Sequence, residues 1–110
     1  MIYTKDNPKI VDSILDLKPE DKFTGVIRNW RNNIFYYLNG KLHREGGPAI
    51  EYDNGRKDWY LNGKRHREDG PAIEWNDGDK WWHLNHECYG ENDDFTTESW
   101  IRFVKLEFLK

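Results

Sequence analysis

The sequence predicts a mainly β fold with α elements: a single antiparallel meander of repeated β-hairpins, with an N-terminal and a C-terminal helix packed on its aromatic face. Three observations carry this expectation. Residues 37–52 read YLNGKLHREGGPAIEY and residues 60–75 read YLNGKRHREDGPAIEW, so 13 of 16 positions recur at an offset of 23. Each unit holds two Asn-Gly or Asp-Gly pairs, the dipeptides of two-residue hairpins, in which both central residues take positive φ. Beyond the units, apolar residues recur at helical spacing near both ends of the chain.

A length of 110 residues fits one domain, 1–110. Only 36% of residues are apolar and 34% are charged, a balance that suggests disorder when the apolar residues are small. Here six Trp, six Tyr and five Phe supply the apolar mass. Each such ring buries on the order of 150–250 Å², so a few of them build a core. The net charge of −3 is too balanced to bind a polyanion by bulk charge. Cys88 is the single cysteine, which excludes an intramolecular disulfide and a cysteine-based zinc cluster and suits a reducing compartment. Met1 to Asp6 lacks the pattern of a signal peptide, and no apolar run approaches the roughly 20 residues of a membrane span. The expectation is a cytoplasmic chain with no membrane partner.

In chain order, Asn7-Pro8 supplies a cap and first turn, and Ile10, Val11, Ile14 and Leu15 follow at helical spacing until Lys18-Pro19, which predicts a helix over 8–18. The hairpin array spans 22–90. With Asn62-Gly63 as a loop, Tyr60 faces Arg65 and Leu61 faces Lys64; with Asn54-Gly55 as a two-residue loop, Glu51 faces Asp58 and Ile50 faces Trp59. One face then carries Ile50, Tyr52, Trp59, Leu61 and His66, with Trp82 and Leu84 further on. The other carries Glu51, Asp58, Tyr60, Arg65 and Arg67. Glu45-Gly46-Gly47-Pro48 and Glu68-Asp69-Gly70-Pro71 link the hairpins, and the offset weakens at both ends of the array, as in capping units. Finally, Thr96 or Thr97 can cap a helix over 97–109, whose apolar side holds Trp100, Ile101, Phe103, Val104, Leu106 and Phe108.

The units YLNGKxHRExGPAIE at 23-residue spacing resemble the MORN repeat and, more closely, its variants in phage, large-virus and bacterial proteins. The similarity covers about residues 25–90. It implies an extended sheet of stacked hairpins that serves as a protein-interaction scaffold. It further implies a small phage-type accessory protein that binds and inhibits or modifies a host defence protein, or a bacterial antitoxin or immunity protein that neutralises a toxin.

No motif of catalysis stands out, and the chain reads as non-enzymatic with no cofactor. His43 and His66 recur in HRE, and recurrence at every unit is the mark of a stacking residue, since an active site needs one copy. His83, His86 and Cys88 form a loose donor set without a metal-ligand pattern, so no metal is assigned. Glu91 to Asp94 lacks the spacing and glycine of a calcium loop and reads as a solvated turn. The candidate partner-binding stripe is Phe35, Tyr37, Arg44, Tyr60, Arg65, Arg67 and Trp81, because Arg and aromatic side chains dominate binding hot spots. The same rings could stack single-stranded bases, but Glu51, Asp58 and Glu74 in the same rows would repel phosphates. Unpaired sheet edges would also let two copies join as a homodimer.

Overall fold

The computed structural model describes Thr4, Lys9–Val11 and residues 22–107. Among these residues eleven strands form: β1 (Lys9–Val11), β2 (Gly25–Asn29), β3 (Ile34–Leu38), β4 (Lys41–Leu42), β5 (Ile50–Glu51), β6 (Lys57–Asp58), β7 (Tyr60–Leu61), β8 (Lys64–Arg65), β9 (Ile73–Glu74), β10 (Lys80–Leu84) and β11 (Glu87–Glu91). A 3-10 turn, Asn92–Asp94, leads into helix α1 (Thr97–Glu107). Nine strands make one sheet in the order β1-β2-β3-β5-β6-β9-β10-β11, with β4 on β3, while β7 and β8 pair separately. From β2 onward every pairing is antiparallel, which is the hairpin meander expected from the repeat.

The N-terminal helix does not begin as expected. Lys9–Val11 pairs with β2 as a parallel strand, Lys9 against Ile27 and Val11 against Asn29. The open edge of β2 offers backbone partners that a helix over the β-branched pair Ile10-Val11 forgoes. The remainder of the 8–18 helix, residue 8 and residues 12–18, lies outside the described residues. The C-terminal helix does form, over Thr97–Glu107 of the expected 97–109; residues 108–110 lie outside the description. Thr96 caps it: its Oγ1 accepts from the Ser99 amide (3.1 Å), and Ser99 Oγ accepts from the Thr96 amide (2.8 Å).

Two kinds of loop alternate along the array. Asn39-Gly40 and Asn62-Gly63 have φ values of 50° and 80° each, and Asn85-His86 follows at 48° and 76°, so all three are the mirror-image two-residue turns foreseen for Asn-Gly. The other loops are one residue longer. The Tyr52 carbonyl accepts from the Gly55 amide (3.0 Å) and the Tyr52 amide donates to Arg56 (2.9 Å), and Trp75, Gly78 and Asp79 repeat the arrangement at 3.0 and 2.9 Å. Asp53-Asn54-Gly55 is thus a three-residue loop with Gly55 at φ +96°, a turn followed by a left-handed glycine.

That extra residue corrects the expected register. Glu51 lies opposite Lys57 and Ile50 opposite Asp58, instead of Asp58 and Trp59. Because side chains alternate with period two, the slip sends a whole set to the other face. Ile27, Phe35, Ile50, Asp58, Ile73 and Trp81 now form one row across the sheet. Trp82, the next residue, points the opposite way.

The core therefore divides between the two faces. Ile27, Phe35, Ala49, Ile50 and Tyr60 cluster on the side of that row, with Phe23, Tyr37, Leu42 and Tyr52 against them. Trp82, Leu84, Trp100 and Val104 cluster on the reverse side, where α1 covers the last unit. So α1 does pack on the face carrying Trp82 and Leu84, but Ile27, Ile50 and Ile73 belong to the opposite face.

Candidate functional site: an arginine and aromatic face

The HRE motif builds the stack between units. His43 Nδ1 accepts from the Asn62 amide and His66 Nδ1 from the Asn85 amide, both at 2.9 Å. That leaves the Nε2 protons directed at Glu45 (3.8 Å) and Glu68 (2.8 Å). Arg44 lies 4.0 Å over the Tyr36 ring and Arg67 3.9 Å over Trp59. Each guanidinium also reaches a proline carbonyl, Pro48 or Pro71, at 3.1 Å. A Cβ at Gly70 would stand 2.6 Å from the Arg67 guanidinium carbon, so glycine before proline makes room for the stacked cation. Glu51 and Glu74 close the set, 3.6 and 3.2 Å from Arg44 and Arg67.

The candidate stripe therefore separates into two groups. Arg44 and Arg67 stack on Tyr36 and Trp59, on the same side as Trp82. Phe35, Tyr37, Tyr60, Arg65 and Trp81 belong to the opposite side. Of these, Phe35 and Tyr60 are buried in the core, while Tyr37, Arg65 and Trp81 remain half-buried. Burial pushes the Tyr37 hydroxyl up to about 12.

At the centre of this second face sits a charge that the sequence reading left among the solvated residues. Asp58 is fully buried, in the position that Phe35 holds one unit earlier and Trp81 one unit later. Arg56 grips it with two hydrogen bonds, Nε to Oδ1 at 2.8 Å and Nη2 to Oδ2 at 2.9 Å. Arg65 approaches the same carboxylate at 3.9 Å, where the first unit has Leu42 and the third has Cys88. Two guanidiniums thus share one carboxylate, and both stay partly open, with side chains 26% and 30% exposed.

Rings surround the three charges. Arg56 lies 5.0 Å from the Tyr52 ring and 4.9 Å from Trp75, and Arg65 lies 5.6 Å from Tyr60. Trp75 meets Trp81 edge-on at 4.9 Å, and Trp81 stacks on His83 at 6.4 Å. Burial, and then the nearby Arg65 charge, lowers the His83 pKa below its ordinary 6.5. Burial raises the Tyr52 and Tyr60 hydroxyls. Among the described residues, the buried atoms Arg65 Nε and His83 Nδ1 have no hydrogen-bond partner.

The sequence reading missed Arg56, Tyr52, Trp75 and His83 as members of this face. The available signal was the 23-residue offset itself. Carried two positions upstream of the repeated stretch, it sets Asp58 against Phe35 and Trp81, a charge in an aromatic column. His83, His86 and Cys88 do not converge: His83 is buried, whereas His86 and Cys88 are exposed, and no metal-sized group of three such donors occurs among the described residues. No helix among them is long and apolar enough to cross a membrane.

In comparisons with known proteins, no family model, no curated protein and no solved structure matches this chain.

Proposed function

We propose that this chain is a non-enzymatic protein-binding module of the MORN-variant kind, a small phage-type accessory protein that binds a host protein and inhibits or modifies it. The observation that carries the reading is the face around Arg56, Asp58 and Arg65. It concentrates surplus positive charge within a rim of half-buried rings, the chemistry most common in binding hot spots. Structural needs of the repeat do not account for it, since the first unit fills the same positions with Phe35 and Leu42. The repeat's own Arg, His and Glu residues are engaged between units and supply the rigid frame that a preorganised surface requires.

Affinity capture from bacterial lysate tests it, with the wild-type chain beside an Arg65→Ala, Trp81→Ala variant whose circular dichroism is unchanged. One stoichiometric partner retained by the wild type and lost by the variant is the expected result. Equal recovery by both chains would falsify the assignment of this face. If that partner is a toxin encoded by an adjacent gene, the module is an antitoxin or immunity protein.

One observation favours a second reading, single-stranded nucleic-acid binding. Glu51 and Glu74, expected among the rings as phosphate-repelling charges, lie on the reverse face with Arg44 and Arg67. A salt titration with a labelled oligonucleotide decides it, because binding through phosphates weakens steeply as salt rises.

A further inference from the structure

Among the described residues, the array contains one aromatic slot that is filled and a second, one unit earlier, that is open. In the filled slot Trp100 of α1 lies 5.5 Å from Trp82 and 6.5 Å from Tyr89, in the same cluster as Leu84. Its indole N–H donates to the Arg67 carbonyl at 2.9 Å. Moving back by the 23-residue repeat turns Arg67, Trp82, Leu84 and Tyr89 into Arg44, Trp59, Leu61 and His66. Those four residues line an open groove of about 230 Å³. The backbone is equivalent at the two places: the Arg44 amide donates to Tyr60 and the Arg67 amide to His83, each at 3.2 Å. Trp59 and Leu61 remain half-buried, whereas Trp82 and Leu84 are 1% and 2% exposed beneath α1.

The units differ at one place that bears on occupancy. The third has Gly90 where the second has Arg67, and a Cβ on Gly90 would fall 2.9 Å from the Phe95 ring. Phe95 lies 5.7 Å from Trp82, much as the Arg67 guanidinium covers Trp59 at 3.9 Å. Arg67 therefore stands in for Phe95 and leaves the position of Trp100 open.

We infer that the groove between Arg44, Trp59, Leu61 and His66 receives a tryptophan from an amphipathic helix of a partner protein, seated as α1 is seated one unit further on. The rim adds a charge requirement. Glu45 and Asp69 border the groove with side chains 87% and 79% exposed, and Asp69 is bonded to Arg67 at 2.8 Å, so Glu45 is the rim charge that meets a basic residue on the flank of the helix. This deepens the protein-binding reading by naming a partner element, and it lies on the face opposite Arg65.

The probe is a synthetic peptide of residues 96–107, TTESWIRFVKLE, titrated into the full-length chain while its indole NMR signals are followed. The expected result is saturable binding that shifts the Trp59 indole and leaves the Trp82 indole in place. A Trp100→Ala peptide should bind about tenfold weaker or worse, as loss of a central aromatic anchor does. Leu61→Lys in the protein should abolish binding, and the exposed change Glu45→Lys, which leaves the core untouched, should weaken it. No binding, binding indifferent to Glu45→Lys, or a shift of Trp82 that signals displacement of α1 overturns the inference. The Arg65→Ala, Trp81→Ala chain should bind the peptide as the wild type does, so the groove and the Arg65 face fail independently.

Discussion

Asp58 concentrates the energetic tension of the molecule in one side chain. A fully buried carboxylate is tolerated only with excellent hydrogen bonding, which the two bonds from Arg56 provide. Removing the carboxylate leaves Arg56 and Arg65 facing each other, and Asp58→Ala should cost roughly 3–5 kcal/mol in urea denaturation. Asp58→Phe combined with Arg65→Leu and Arg56→Asn copies the first unit's Phe35, Leu42 and Asn33. Replacing the whole charge triad in this way should leave stability unchanged or raised by about 1–4 kcal/mol while abolishing partner capture, a separation that a purely structural role for the charges would not produce. His83 sets an acid limit. Its folded pKa lies below the unfolded value of 6.5, so the unfolded chain binds the extra proton first. Its contribution is complete above pH 6.5 and is lost as pH falls below that toward the lowered folded value. The urea midpoint should be lower at pH 5.5 than at pH 7.5, and His83→Gln should shrink that difference.

Loops decide how each hairpin presents its side chains. The two-residue loops could be read directly, because Asn39-Gly40 and Asn62-Gly63 are the dipeptides that accept positive φ twice. Asn54-Gly55 has the same letters and a different role, for there the asparagine sits inside a turn that starts at Asp53 and only the glycine is left-handed. Two residues of identical type thus support registers that differ by one, and local propensity does not distinguish them. Pairing of Ile50 and Ile73 with Asp58 in the centre of the sheet selects the longer loop. Gly78 provides a clean measurement: its φ is +98° and nothing lies within 4 Å of a Cβ built there. Gly78→Ala should therefore cost about 1–2 kcal/mol from backbone strain alone, read as a lower urea midpoint with an unchanged slope.

Over the whole molecule, the sheet is used on both sides, and α1 closes the array at its last unit. Trp100 contacts Trp82, Tyr89, Phe95 and Phe103 and hydrogen-bonds to Arg67, so it ties helix, strand and stacking loop together. Trp100→Ala should lower stability by about 3–5 kcal/mol and raise the solvent quenching of Trp82 fluorescence. A variant as stable as wild type would show that α1 is an appendage and not part of the core. The candidate face was legible in its composition, since Tyr60, Arg65 and Trp81 were singled out by residue type. Its completion by Arg56, Trp75 and His83 was not, because these residues join it through the register that the longer loops impose.

Repetition in the chain was sufficient to establish the hairpin meander, the stacking role of HRE and the closing helix, because each depends on contacts that recur every 23 residues or lie within one turn. Which face each ring occupies, the division of the core and the burial of Asp58 follow from long-range strand pairing. There a one-residue choice, made by the burial energy of the assembled sheet, exchanges inside for outside.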